Sequence, residues 1–211
     1  MTPADALSAL ADAEAKLAEL GPTPFPLPLG RLAPVVAGTV TALERSDWWV
    51  PGLRERVGAV LREVPVGRLV DGFAGAKPYR IAPPGASAAL RALYGTGLAL
   101  ARKGAEDGGR VVVSLGIGSL SDGAAHEALN LATLHELAMI FVVAVPAADD
   151  AVPFATQLAV QPTAWAASYG LHTTEVDGSD AGAVHEAVRA ARGTEQLCLV
   201  QAHLPATKES P

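Results

Sequence analysis

Residues Val111 to Pro146, VVVSLGIGSLSDGAAHEALNLATLHELAMIFVVAVP, constrain the fold more than any other stretch. A β-branched apolar run leads into a glycine turn, then a helix-period segment, then a second apolar run. Strand, crossover helix and strand in this order form the unit of a parallel sheet. Runs that are apolar on both faces need helices on both sides. Gly116 and Gly118 allow close backbone approach, and the helix that follows turns its first N–H groups toward the turn, an arrangement suited to an anion. The residue between these glycines is Ile117, which brings hydrocarbon where polar chemistry is expected.

The same alternation continues to the end of the chain. Strands are predicted at 110–115, 139–145, 171–176 and 197–202, with helices near 122–137, 160–169 and 180–192. The predicted fold class is therefore α/β, a mainly parallel sheet flanked by helices. The first third reads differently. PADALSALADAEAKLAELG spaces Leu7, Leu10, Leu17 and Leu20 for an amphipathic helix closed by Gly21. The prolines of PTPFPLPLG favour an extended crossing. Helices follow at about 31–45 and 51–63, then a Gly/Pro-rich loop through residue 85, then the apolar helix of ASAALRALYGTGLALARKGAEDGG. The expected organisation is a helical extension and loop over 1–84, an α/β domain over 85–205 and a frayed tail over 206–211.

A net charge of -6 argues against a nucleic-acid surface, which needs clustered cations. No segment has the roughly 18 consecutive apolar residues of a membrane span, so no membrane partner is expected. The N-terminus carries acidic residues and no basic leader region. One cysteine, Cys198 in QLCLVQA, reads as a small core residue, and the expected compartment is the cytoplasm.

The stretch GIGSLSDGAAHEALNLATLHELAMIFVV resembles the thiamine-diphosphate motif in the alpha subunit of 2-oxoacid dehydrogenase decarboxylase components. The run HEALNLATLHEL at 126–137, followed by IFVV, carries most of the likeness. PTAWAASYGLHTTEVDGSDAGAVHEAVRAAR and LCLVQAHL extend it downstream, and GASAALRALYGTGLALARKGAEDGGRVVV upstream, so it covers about residues 85–205. Transketolases share the fold as more distant relatives. The resemblance implies a thiamine-diphosphate-binding-type fold whose cofactor lies against a second, pyrimidine-binding domain. In this family that domain sits on a beta-type partner chain, so a homodimer or a beta-type partner is expected.

The departures bear on function. The family pattern implies a metal-binding aspartate at position 117, where this chain has Ile117, and an asparagine ligand at Pro146. It implies a ligating carbonyl at Ala148. Mg²⁺ requires hard oxygen ligands in near-octahedral array, and isoleucine and proline offer no side-chain oxygen. The family-equivalent cofactor positions are Gly116, Ile117, Gly118, Ser119, Pro146 and Ala148. They are expected not to serve thiamine diphosphate, and no metal site or catalytic residue is assigned. The expectation is a non-catalytic relative, a pseudoenzyme acting through protein–protein contacts or an altered ligand site. The alternative is a subunit that still uses thiamine diphosphate and Mg²⁺ with a beta-type partner, Asp149 or Asp150 replacing the lost ligands. A third reading is an apolar crevice for an uncharged ligand.

Other residues carry weaker signals. Asp122 reads as a helix N-cap. His126 and Asn130 share a helix face, where the resemblance favours packing over metal binding. His135 reads as a surface residue, and His172 and His185 have no Ser or Cys partner at a recognisable elbow. His203, after the last strand, reads as an exposed loop histidine, with a place facing the crevice at the strand ends as the alternative. The pair Trp48–Trp49 suits either a partner anchor or burial between extension and domain, and KPYR at 77–80 reads as an exposed loop.

Overall fold

The structure is a computed structural model. It describes residues 1–25, 27–71, 77–83, 87–105, 107–148, 150, 152 and 154–206. Its twelve principal elements are α1 (Pro3–Leu20), α2 (Ala33–Thr41), β1 (Trp48–Val50), α3 (Val66–Val70), α4 (Leu90–Ala101), β2 (Val111–Gly116), α5 (Gly123–Leu134), β3 (Met139–Val145), α6 (Pro162–Ala167), β4 (His172–Asp177), α7 (Ala181–Arg192) and β5 (Cys198–His203). The strands form one sheet in the order β1-β2-β3-β5-β4. Every pairing is parallel, with Val111 opposite Met139, Ile140 opposite Cys198 and His172 opposite Cys198.

The pleat sorts the side chains. In β2, Val111, Val113 and Leu115 enter one core cluster with Ala92, Ala99, Ala125 and Leu129 of α4 and α5. Val112 faces the other way, with Ile140, Val142 and Val200, and meets Val35, Val184 and Val188 of α2 and α7. Two-sided burial explains why these strands are apolar throughout rather than alternating. A third cluster joins α1 to α2 through Leu10, Leu17, Val36 and Trp49. The α-helical N-terminus carries a capping box, Thr2 with Asp5.

The four predicted strands lie within one residue of their observed bounds. The first third differs more. Trp48–Val50 is the edge strand of the sheet, paired with Val111–Val113, so the division at residue 84 leaves a strand of the sheet on the wrong side. The reason is the two-residue strand period. Trp49 enters the α1–α2 cluster while Trp48 packs on the opposite face, so both are accommodated by the sheet. The helix expected over 51–63 is a short 3₁₀ segment, Arg56–Arg62. Gly58 within it lies so close that a Cβ would stand 2.5 Å from Val36 Cγ1 and 2.7 Å from the Trp49 ring. The Gly/Pro loop contains α3, and its Ile81 bridges to Trp49. The helix expected at 31–45 is shorter, with a 3₁₀ turn at Gly30–Leu32 leading into α2. Residues 207–211 of the expected tail lie outside the described residues.

Asp47 ties the first third to the rest. Its buried carboxylate accepts from the Glu44 N–H at 2.8 Å, the Arg110 N–H at 2.7 Å and the Arg192 Nε–H at 2.7 Å. It thus joins the entries to β1 and β2 with the last turn of α7. Among the described residues, no helix is long and apolar enough to cross a membrane.

Candidate functional site

Parallel sheets of this kind bind ligands at the carboxyl ends of their strands. Here β2 ends at Gly116, a single 3₁₀ turn covers Ile117–Ser119, and Asp122 caps α5 by accepting from the Ala124 N–H at 2.9 Å. Ile117 is only 4% exposed and belongs to the core with Leu115, Leu120, Leu129 and Val145. Its side chain therefore seals the turn from below instead of facing the crevice. At the end of β3, Ala144 and Val145 are buried, Pro146 is half-buried and Ala148 is exposed. Asp150, one of the two carboxylates considered as replacement ligands, is ion-paired with Arg31. Asp149 lies outside the described residues. Among the described residues no three His, Cys, Asp or Glu side chains gather into a metal-binding group. This donor set does not fit a Mg²⁺–diphosphate complex, because the turn offers hydrocarbon where hard oxygen is required.

A cavity of about 440 Å³ nevertheless opens at this end of the sheet. Gly116, Gly118, Ser119 and Ala144 line it together with Glu55 and Arg91. Of the sequence-expected site positions, Gly116, Gly118 and Ser119 line it; Ile117, Pro146 and Ala148 do not. An uncharged crevice walled by those three residues is thus replaced by one with buried charges.

Glu55 sits behind the β1 end, where the Gly52 N–H donates to its Oε2 at 2.5 Å. The Trp49 indole N–H donates to Ser114 Oγ at 3.1 Å, and that hydroxyl lies beside the Glu55 carboxyl. Burial raises the Glu55 pKa, opposed in decreasing order by the Gly52 N–H, Arg91 and Ser114. Burial likewise lowers the Arg91 pKa, opposed by Glu55. Each charge stabilises the other, and in both cases desolvation is the larger effect. Arg91 Nε and Ser119 Oγ are buried with no hydrogen-bond partner among the described residues.

Sequence reasoning missed Glu55 and Arg91. A signal for Arg91 exists: it precedes Ala92, Gly95, Thr96 and Ala99, the buried face of α4, so helical periodicity places a cation among core positions. Glu55 has no such signal, since it lies in a turn read as helix.

The histidines divide between packing and surface. His126 Nδ1 is 2.8 Å from the Tyr169 hydroxyl, and its ring meets Trp165 edge-on at 5.1 Å. His185 Nδ1 is 2.9 Å from Thr41 Oγ1, joining α7 to α2. His203, at the end of β5, is exposed and 2.9 Å from Glu175 Oε2. Cys198 is buried in β5.

With that geometry in place, the relatives are informative. The family described as "Dehydrogenase E1 component" matches residues 33–196. The 3-methyl-2-oxobutanoate dehydrogenase subunit alpha of Mycobacterium tuberculosis is 28% identical over 177 residues, 78% of this chain and 48% of that protein. The 2-oxoisovalerate dehydrogenase subunit alpha of Bacillus subtilis is 31% identical over 127 residues, 60% of this chain and 38% of that protein. Transketolase from Campylobacter jejuni superposes with a TM-score of 0.73 at 17% identity, covering 98% of this chain and 37% of its own, a likeness of fold. The chain thus spans about half the length of the Mycobacterium relative, or less for the others.

Proposed function

The chain belongs to the dehydrogenase E1 component family, and from that membership we propose that it is a non-catalytic relative of the alpha subunits. In this reading it keeps the scaffold and the assembly surface in the cytoplasm but not Mg²⁺–thiamine diphosphate chemistry. The observation that carries the reading is Ile117, sealed in the core at the position where the family pattern has a metal-binding aspartate. A carboxylate held there without its ion would be costly, and hydrocarbon removes that cost.

An assembly role draws on the exposed side of α4 and α5. Leu90 and Tyr94, both exposed, follow one another along α4 at helical spacing, and Leu134 of α5 is 69% exposed. A monomer leaves large apolar side chains exposed singly, and a helical row of them suits a partner. The relatives' names say "subunit alpha", which favours a beta-type partner chain; a homodimer is the other arrangement.

The catalytic alternative, a thiamine-diphosphate-dependent subunit with a beta-type partner, draws support from the cavity that persists at the strand ends. Calorimetric titration of thiamine diphosphate into the purified chain, with and without Mg²⁺, separates the two. No magnesium-dependent heat is expected. Saturable, magnesium-dependent binding would overturn the non-catalytic reading.

A further inference from the structure

A metal ion crosslinks the segments that supply its ligands. In this chain Ile117 and Pro146 withdraw two of the side-chain oxygens that the family pattern offers to such an ion. The residues just beyond Pro146 are tied down all the same. The Asp150 side chain is only 7% exposed and is ion-paired with Arg31, in the 3₁₀ turn Gly30–Leu32 of the N-terminal third. The same nitrogen, Arg31 Nη1, donates to the Pro205 carbonyl at 3.0 Å. One guanidinium thus joins the N-terminal third to the residues that follow β3 and to those that follow β5. The Asp150 N–H donates to the Ala147 carbonyl at 3.2 Å and the Leu204 N–H to the Val145 carbonyl at 2.8 Å, so both anchored points stay beside the ends of their strands. Further along, Gln157 Nε2 donates to the Val152 carbonyl at 3.1 Å. Gln157 Oε1 stands so near the glycine turn that a Cβ at Gly118 would meet it at 2.9 Å. Leu32, next to Arg31, and Gly118 both line the cavity at the strand ends.

We propose that Arg31 is a built-in clamp: its side-chain cation holds Asp150, and with it the approach of Gln157 to the glycine turn, without a metal ion. A carboxylate taken out of water needs a charged partner, and removing that partner is costly. A guanidinium carried by the chain itself supplies the positive charge and leaves no open coordination position, so the rim of the cavity is fixed from within. Because a single nitrogen makes both contacts, the clamp uses the charge and reach of Arg31 rather than the two-pronged geometry of its guanidinium. The inference rests on the non-catalytic reading only in taking Asp150 to be held without Mg²⁺.

Amide hydrogen exchange of the full chain, read residue by residue by NMR, tests the clamp, with the Val142 amide inside β3 as the control for global opening. Arg31→Met keeps the length and removes the charge, and should speed exchange at Asp150 and Leu204 about tenfold while Val142 is unchanged. Arg31→Lys keeps the charge, and both amides should stay within about threefold of the natural chain. Magnesium chloride should leave the natural chain's exchange as it is. Unchanged exchange at Asp150 in Arg31→Met, equal losses in the methionine and lysine variants, or slowing of the natural chain by Mg²⁺ would each overturn the proposal. If Arg31→Met fails to fold, Asp150→Asn removes the charge from the other side and should speed exchange at residue 150 by a similar factor; no change there would overturn the clamp. Magnesium-dependent thiamine diphosphate binding beside the expected exchange results would overturn the non-catalytic reading and leave the clamp standing. Absent thiamine diphosphate binding beside unchanged exchange in Arg31→Met would overturn the clamp alone.

Discussion

Two buried carboxylates eight residues apart, Asp47 and Glu55, sit at opposite ends of the same edge strand and have opposite surroundings. Asp47, at the amino end of β1, accepts three close hydrogen bonds, one from Arg192. Glu55, at the carboxyl end, receives the Gly52 N–H and lies beside Arg91 and Ser114, yet its desolvation outweighs them all. Both charges are removed from water, and only at the amino end do the fixed partners make a closed set. The contrast separates a structural carboxylate from one whose environment is incomplete. In an α/β sheet the amino end holds the fold and the carboxyl end is left open for a ligand. Incompleteness at the carboxyl end is therefore the more informative of the two.

Removing Asp47 should be the most damaging change. Asp47→Ala leaves two backbone N–H groups and the Arg192 Nε–H without their acceptor, Arg192 keeping only its ion pair with Glu44, at a cost of about 3–5 kcal/mol in urea denaturation. A loss below about 1 kcal/mol would erase the contrast by showing that Asp47 is as weakly held as Glu55. Ile117→Asp tests whether the turn belongs to the core or to the crevice. A carboxylate at that position should cost about 3 kcal/mol near neutral pH; if stability is unchanged, the side chain reaches water or a ligand. Glu55→Gln works in the opposite direction and is pH-dependent. Because the folded-state pKa of Glu55 is raised, its contribution to stability is fully present below the ordinary glutamate range and is lost as pH rises through the raised value. The glutamine variant should therefore gain on the natural chain across the interval from the ordinary glutamate range up to the raised value, read from urea midpoints. A difference that stays constant across that interval would show Glu55 to be as well satisfied as Asp47. The smallest effect is expected for Ser119→Ala, within about 0.5 kcal/mol, since its hydroxyl bonds nothing. A larger loss would reveal a partner for that hydroxyl and weaken the case for a vacant donor.

How legible each part was in the sequence depended on how regular its physics is. The strands at 111–116, 139–145, 172–177 and 198–203 are long apolar runs with glycine or polar boundaries, and periodicity finds them. β1 has only three residues, shorter than any periodicity window, and two tryptophans obscure its alternation. Its membership in the sheet depends on pairing with residues more than sixty positions away, a tertiary fact that no local pattern carries. The glycine turn was legible as a shape, and Ile117 as a missing oxygen ligand. The direction of the Ile117 side chain, into the core, was not, because the turn is too short to impose a face. Arg91 could have been found from the helical stripe of Ala92, Gly95, Thr96 and Ala99. Glu55 could not, since its partners come from Gly52, Arg91 and Ser114, three separated parts of the chain.

The shortness of β1 also bears on solubility. Among the described residues, three pair with the outer edge of β2, and the strand beneath, Val111 to Leu115, is almost entirely apolar. Edge strands exposed in this way template further strands. A fragment cut at residue 85, where the sequence alone suggests a boundary, would lose Asp47, Trp49 and β1 together and present that edge to its neighbours. Such a fragment is expected to aggregate rather than fold, so the N-terminal third acts as a guard for the sheet as well as an addition to it.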